Sequence, residues 1–361
     1  MIEKPVRGSP LAIYGAGSTG KFVSKALRGS GFEVACFLDI EAGAGPVCEG
    51  VRVFHPESPD LSADFRSSTL VIVAVFNGGA SVPAIQRNLK EIGFTRTISF
   101  LQLYGDPSIP LGDRYWATSP VHYDGWQEDI ELCDRLWADE ASRALFREHV
   151  RCRRQLDLRL LPCPDPDSHY IPADLPAPRD PMRLIDGGAF DGDTIRKLTS
   201  AVNKTEAVAA FEPDSENFSR LVAAAVTGNQ SLLGAALYLW PCGLSNRHGL
   251  ARFSKTGGEG SSLSEEGAVM VQCVALDESM PNFAPTFLKM DIEGAEFEAL
   301  CGAQRLIRRY RPDLAISVYH RPEHMWQIPN LLGRINPDFR FFLRSHGYNG
   351  FETVMYGFAD R

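Results

Sequence analysis

The sequence contains no run of about 18 apolar residues, the length that a membrane-spanning helix needs, so no membrane span is expected. Its first residues, MIEKPVRGSP, lack the apolar stretch of a secretory signal, and the chain is expected to be cytoplasmic. No two of its eight cysteines stand as Cys-x-x-Cys, which argues against a structural zinc site. Cys36, Cys48, Cys133, Cys152, Cys163, Cys242, Cys273 and Cys301 are scattered and read as free thiols of a reducing compartment. Positive charge is in deficit: 37 Lys and Arg stand against 45 Asp and Glu, for a net charge of −8. A phosphate backbone is a poor partner for such a chain, so nucleic acid is not expected as substrate. Internal repeats and low-complexity tracts are also missing.

What is present is ordinary globular material, 44% apolar and 23% charged, enough for packed cores. At roughly 100–200 residues per domain, 361 residues make two or three domains. In the first hundred residues strand patterns (Leu11–Tyr14, Glu33–Leu38, Thr69–Phe76, Thr97–Leu101) alternate with helical ones (Lys21–Arg28, Pro83–Ile92). Alternation at this spacing predicts right-handed βαβ units. A charge-rich stretch from Gln127 to Leu160 predicts a helical connector, and a proline-rich linker follows from Leu161 to Pro181. Alternation restarts at Arg183. Strands are predicted at Arg183–Asp186, Ala207–Phe211, Ala236–Trp240, Ala251–Ser254, Val271–Leu276, Thr286–Met290, Leu314–Tyr319, Phe339–Leu343 and Thr353–Tyr356. Helices are predicted at Thr194–Ser200, Glu216–Ala225, Ala295–Arg308 and Met325–Arg334. The last two strands have no strong helix between them, which fits an antiparallel hairpin at the sheet edge. The expected fold class is α/β, with two doubly wound Rossmann-like domains, 1–105 and 183–361, joined by a connector and linker over 106–182.

Two glycine-rich loops follow strands and open helices. The first, Gly15-Ala-Gly17-Ser-Thr-Gly20, fits G-x-G-x-x-G, and Asp39 closes the next strand. Glycines permit close backbone approach, the helix N-terminus favours an anion, and the acid can bond ribose hydroxyls. A nucleotide or NAD in the first domain is therefore a candidate ligand. The glycines serve equally well for tight strand–helix packing with no ligand at all.

The second loop, Asp186-Gly187-Gly188-Ala-Phe190-Asp191-Gly192-Asp193, departs from that spacing. Two carboxylates here would repel a pyrophosphate, yet they suit a ligand carrying an ammonium and a sulfonium. That charge argument favours S-adenosylmethionine over a dinucleotide. Glu212, in Phe211-Glu-Pro213 at the end of the next strand, is placed to accept bonds from both ribose hydroxyls. The donor site is expected to draw on Asp186, Gly187, Gly188, Phe190, Asp191, Gly192, Thr194, Glu212, Pro213 and Asn217. By fold analogy, Cys242 and Gly243 lie beside the adenine. The stretch Gly257-Gly-Glu-Gly-Ser-Ser262 is a candidate closing loop.

The stretches Leu184 to Thr194, Phe211-Glu-Pro-Asp214, Phe287-Leu-Lys-Met-Asp-Ile-Glu-Gly-Ala-Glu296 and Ile316-Ser-Val-Tyr-His320 resemble the FkbM family of methyltransferases over about Arg183 to Phe358. The segments Trp326-Gln-Ile-Pro329, Phe342-Leu-Arg-Ser-His346, Glu352-Thr-Val-Met-Tyr356 and His169-Tyr170-Ile-Pro172 resemble a branch associated with glycan modification. Ser345 departs from that pattern, standing where a histidine is expected before His346. The resemblance implies a class I methyltransferase fold, S-adenosylmethionine as donor and, usually, O-methylation.

Candidate catalytic groups are Asp291, Glu293, His320 and His346, expected where ligands bind in such sheets, at the carboxyl ends of the strands. A hydroxyl acceptor must lose a proton to a positioned base. His320, His346 or Asp291 can fill that role, or Asp291 can coordinate a divalent cation that acidifies the acceptor. Glu293 can instead cap a helix. Lys289 can pair with a carboxylate inside the sheet end.

The leading expectation is methyl transfer to the hydroxyl of a sugar, glycan or other small-molecule acceptor. The alternative is an NAD(P)-dependent oxidoreductase or epimerase acting on a nucleotide sugar, but no tyrosine has lysine four residues on, as a short-chain enzyme of that kind requires. A non-catalytic sugar-nucleotide-binding role for the first domain is compatible with the leading reading, and association into a homo-oligomer is left open.

Overall fold

A computed structural model describes residues 3–42, 46–227, 235–254, 262–263 and 269–359. The chain divides into two compact units that are not contiguous in sequence. The first is Met1–Gln127 with Arg147–Pro164 and Gly347–Phe351; the second is Glu128–Phe146 with Asp165–His346 and Glu352–Arg361. The expected connector is thus shared between the units. Its single helical stretch resolves into α4 (Gln127–Asp134) and α5 (Glu140–Gln155). They part because Asp139 turns back, its side chain accepting from the Ser142 amide at 2.7 Å.

The first unit runs β1 (Leu11–Tyr14), α1 (Ser18–Gly29), β2 (Val34–Leu38), β3 (Val47–Cys48), β4 (Val51–Phe54), α2 (Ala63–Ser68), β5 (Leu70–Val73), α3 (Val82–Glu91) and β6 (Arg96–Ser99). The sheet order is β3-β4-β2-β1-β5-β6, and among the described residues only the β3–β4 pair is antiparallel. The chain grows outward from β1 in both directions, the doubly wound arrangement expected from the βαβ spacing. Two strands end earlier than expected. The apolar run from Thr69 is a strand only to Val73, and the strand expected to reach Leu101 stops at Ser99, whose hydroxyl caps a 3-10 turn over Phe100–Gly105.

The second unit runs β7 (Met182–Gly187), α6 (Asp193–Ser200), β8 (Thr205–Phe211), α7 (Ser215–Thr227), β9 (Ala236–Trp240), β10 (Gly243–Leu244), β11 (Gly249–Ser254), β12 (Ser262–Leu263), β13 (Val269–Val274), α8 (Leu276–Ser279), β14 (Phe287–Met290), α9 (Glu296–Cys301), α10 (Gln304–Tyr310), β15 (Asp313–Ser317), α11 (His324–Ile335), β16 (Phe339–Ser345) and β17 (Thr353–Ala359). Seven strands form one sheet in the order β16-β17-β15-β14-β7-β8-β9. It is parallel from β9 to β15, and β17 runs antiparallel to both its neighbours. The edge hairpin is therefore present, with β17 tucked inside β16. Leu184, Val208, Phe287, Ala315 and Val354 bury the sheet against its helices.

The strands expected at Ala251–Ser254 and Val271–Leu276 are present as β11 and β13, in a separate four-stranded sheet, β10-β13-β11-β12. The helix expected over Ala295–Arg308 breaks into α9 and α10 at Gly302, where a Cβ would lie 2.2 Å from the Ser245 carbonyl oxygen. The loop Gly257–Ser261 lies outside the described residues. Among the described residues no helix is long and apolar enough to cross a membrane.

Candidate functional site

The reversal of strand order between β7 and β14 opens a crevice at their carboxyl ends, the place where such sheets bind ligands. Asp186, at the end of β7, is fully buried and does not reach that crevice. It pairs instead with Lys289 of β14, Nζ to Oδ1 at 3.0 Å. Lys289 also donates to the carbonyls of Gly188 at 2.8 Å and Gly187 at 3.3 Å. Burial disfavours the ammonium, but Asp186 and Asp291 outweigh it and hold the Lys289 pKa above its ordinary value. Burial raises the Asp186 carboxyl to about 6, with Lys289 opposing, so the pair is ionic at neutral pH. The expected role of Asp186 as a donor ligand is thus replaced by an anchoring one: through Lys289 it fixes the loop.

The loop itself is shaped by close approach. Gly188 has φ +75°, and a Cβ there would lie 1.9 Å from the Asp291 carbonyl oxygen. Gly192 (φ +86°) starts α6, while Asp191 turns away to the Asp193 amide and Arg196. Glu212 closes β8 with both oxygens held, Oε2 accepting from the Phe190 amide at 2.9 Å and Oε1 from the Asp214 amide at 2.8 Å. Burial raises its carboxyl to about 7, with those two amides opposing the rise.

Past β14 lies a network of opposite charges. His320, after β15, directs Nδ1 at Glu296 Oε1 (2.8 Å) and Nε2 at Asp291 Oδ1 (3.4 Å) and Glu293 Oε2 (3.6 Å). His324 faces the other Glu296 oxygen at 3.2 Å. Burial opposes charge on His320, but the surrounding carboxylates overcome it and lift its pKa to about 10. The group is therefore an imidazolium at neutral pH and has no lone pair with which to act as a base. Asp291, Glu296 and His320 each offer one atom within a 4.8 Å cluster. A cation could bind there only by displacing the imidazole proton that balances the carboxylates.

His346, at the end of β16, is also engaged at both nitrogens. Tyr356 Oη accepts from the Tyr170 amide at 3.0 Å, so its own proton points to His346 Nε2 at 2.9 Å. Nδ1–H then donates to the Asp165 carbonyl at 2.7 Å. His346 does not line the crevice; its partners hold the Tyr170 backbone in a left-handed conformation, φ +64°. The Tyr170 hydroxyl in turn donates to Asp291 Oδ2 at 2.8 Å. Replacing Tyr356 by Phe is expected to destabilise the fold by about 1–3 kcal/mol, because a buried amide loses its acceptor and His346 loses its donor. Urea unfolding reads this directly, and an unchanged midpoint would remove the tyrosine from the network.

A cavity of about 400 Å³ lies at these strand ends. Of the residues singled out in sequence, Tyr170, Gly188, Phe190, Asp193, Thr194, Glu212, Pro213, Asn217, Gly243, Lys289, Asp291 and Glu293 line it. Asp186, Gly187, Asp191, Gly192, Cys242, His320 and His346 do not. Cys242 is buried behind its neighbour, with its thiol pushed up to about 12 by burial. Other lining side chains had no role assigned from sequence: His169, Lys197, Tyr319 and Glu352. His169, Tyr319 and Glu352 stand inside stretches that resemble the family, but nothing local gives them a role, and Glu352 arrives from the hairpin edge of the sheet.

In the first unit, Asp39 spends both carboxylate oxygens on its own backbone, accepting from Ala16 N at 2.8 Å and Glu41 N at 3.0 Å. A Cβ on Gly20 would lie 1.9 Å from the Gly15 carbonyl oxygen, so this glycine serves close packing of α1 on β1. Gly17 meets nothing within 4 Å. The loop's residues are thus accounted for by packing and by a loop clamp, which leaves the nucleotide expected there without a structural observation in its favour.

Residues 186–349 match the family profile of the Methyltransferase FkbM domain. Among solved structures, the crystal structure of Methyltransferase FkbM from Methylobacillus flagellatus KT is similar, with a TM-score of 0.79 at 20% identity; the match covers 98% of this chain and 90% of that one. A putative rRNA-methylase from Clostridium thermocellum aligns with a TM-score of only 0.30 at 10% identity, over 48% of this chain and 83% of that one. No curated protein matches the sequence.

Proposed function

We propose, from the FkbM methyltransferase domain that residues 186–349 carry, that this chain moves a methyl group from S-adenosylmethionine to a hydroxyl of a sugar-like acceptor. The observation that carries the reading is the placement of Glu212 and Gly188 on one cavity, with a row of hydrogen-bonding side chains on the same cavity. When bound, the donor supplies an electrophilic methyl on a sulfonium. Glu212 would hold the two ribose hydroxyls, its geometry already set by the Phe190 and Asp214 amides. The loop meets the cavity at Gly188 and Phe190, and the acidic lining (Asp193, Glu212, Asp291, Glu293, Glu352) outnumbers Lys197 and Lys289 and favours the ligand's positive charge. Tyr170, Asp291, Glu293 and Tyr319 present hydroxyl and carboxyl groups of the kind that recognise a polyhydroxylated acceptor.

The test is calorimetric titration with S-adenosylmethionine. Glu212→Ala is expected to weaken binding by about one to two powers of ten, the worth of one charge-assisted bond. Asp39→Ala should leave binding unchanged. Loss of binding only in Asp39→Ala would move the donor to the first loop, and no binding to the wild type would sink the reading. Affinity should also depend on pH. With its carboxyl at about 7, Glu212 is half protonated at neutrality, and a protonated carboxyl loses acceptor capacity. Affinity should therefore fall as pH drops from 8 to 6, by up to about tenfold per unit below the pKa. Glu212→Gln should flatten that slope; a flat wild-type profile would contradict it.

A further inference from the structure

The proton of a hydroxyl acceptor needs a destination, and the histidines expected from sequence do not provide one: His320 is charged and His346 is engaged at both nitrogens. A third imidazole does line the cavity. His169 stacks on Tyr170 with ring centroids 3.8 Å apart. Its Nε2 is buried and faces Glu352 Oε2 at 3.4 Å, and the Tyr319 hydroxyl donates to Oε1 of the same carboxylate at 3.2 Å. Only an N–H faces a carboxylate favourably, so the proton belongs on Nε2 and the lone pair on Nδ1. Among the described residues no hydrogen bond joins either ring nitrogen, and Nε2 meets Glu352 at ion-pair distance alone.

The surrounding backbone carries a second mark. Tyr170, Phe190, Glu293 and Glu352, all lining residues, hold φ of +64°, +48°, +55° and +50°. Left-handed non-glycine residues are uncommon and gather where a fold holds side chains against local preference for a purpose. Two of the four carry the groups that flank His169, the Tyr170 ring beneath it and the Glu352 carboxylate beside it.

We propose that His169 is the general base toward the methyl acceptor, with Nδ1 as the proton-accepting atom and Glu352 as the positioning residue that fixes its tautomer. This deepens the methyltransferase reading and rests on it. An acceptor oxygen lone pair forms the new C–O bond as the methyl–sulfur bond breaks and its electron pair stays on sulfur, leaving a neutral thioether. As the oxygen gains the methyl its proton becomes strongly acidic and passes to His169 Nδ1, and the imidazolium, which burial makes short-lived, gives it up to water. Other charged and titratable groups around the ring are Asp291, His346, Lys289, Lys197 and the Tyr170 hydroxyl. Burial keeps the resting imidazole neutral, its pKa lowered to about 3 against the pull of Asp291.

Nitrogen-15 spectra of the full chain, with His169 assigned through His169→Gln, test the resting state without any acceptor. The expected result is a neutral ring with the proton on Nε2 from pH 5 to 8, and a mixture of tautomers in Glu352→Ala. An imidazolium at pH 7, or a proton on Nδ1, would overturn the proposal. The kinetic arm follows S-adenosylhomocysteine release with methyl α-D-glucopyranoside and methyl α-L-rhamnopyranoside as probes. On whichever is methylated, His169→Gln should lower kcat about 100-fold or more, with donor Kd within about twofold, a split that mere loosening of the fold would not give. Retained kcat would overturn the proposal, and if neither glycoside reacts the tautomer decides alone. Failure of the underlying reading shows differently, as absence of donor binding by the wild type.

Discussion

Replacing Lys289 by Met should destabilise the protein by about 3–5 kcal/mol at pH 8, the usual cost of leaving one partner of a buried ion pair behind. Asp186 is fully buried, and Lys289 is the cation beside it. Its carboxyl already sits at about 6 with that cation in place, so removing Lys289 pushes it higher still. A carboxyl whose folded pKa exceeds its unfolded value, here 3.8, binds an extra proton in the folded state. The stability linked to it is present at low pH and lost as pH rises through the folded pKa. The Lys289→Met deficit should therefore shrink between pH 8 and pH 5, and the double variant Asp186→Asn, Lys289→Met should recover part of it through coupling of the two sites. Urea unfolding at both pH values measures this. A deficit below about 1 kcal/mol at pH 8, or one independent of pH, would show that the pair is not the anchor described. Donor affinity should fall in the single variant too, since Lys289 also holds the carbonyls of Gly187 and Gly188.

Gly188→Ala should be the most damaging small substitution in the Asp186–Asp193 loop. A left-handed φ of +75° costs a residue with a side chain about 1–2 kcal/mol. The added methyl would also meet the Asp291 carbonyl oxygen at 1.9 Å, which is backbone and cannot swing aside. The loop must shift from β14, carrying Phe190 and its bond to Glu212 with it. Donor affinity is expected to fall by at least about thirtyfold, roughly 2 kcal/mol. Gly17→Ala in the first unit is the control: its Cβ would meet nothing within 4 Å, so stability and donor binding should both hold. Equal effects from the two substitutions would separate the donor site from the second loop.

Both predictions show how the site's residues divide between those that were legible in sequence and those that were not. The loop from Asp186 to Asp193, Glu212 at the end of β8 and Asp291 after β14 were expected together, and Gly188, Glu212 and Asp291 do meet on one cavity. Their positions follow from chain order alone, because each closes a strand or opens a helix beside the crevice. Individual roles did not follow. Asp186 looked like a donor ligand, and His320 and His346 looked like bases. Burial reassigned all three, by pairing Asp186 with Lys289, charging His320 through Glu296, and engaging His346 with Tyr356 and Asp165.

By itself the sequence determined the alternation of strands and helices, the two loops and the antiparallel edge, since hydrophobic period and glycine placement are local properties of the chain. It also carried the FkbM resemblance, which the match over residues 186–349 supports. Tertiary structure alone decided the separate sheet of β10 to β13, the sharing of the connector between two units, and the meeting of His169 with Glu352. Protonation states belong to that second group for a physical reason. A pKa is set by desolvation and by charges within a few ångströms, and residues far apart in sequence, such as His169 and Glu352, supply those charges only once the chain has folded.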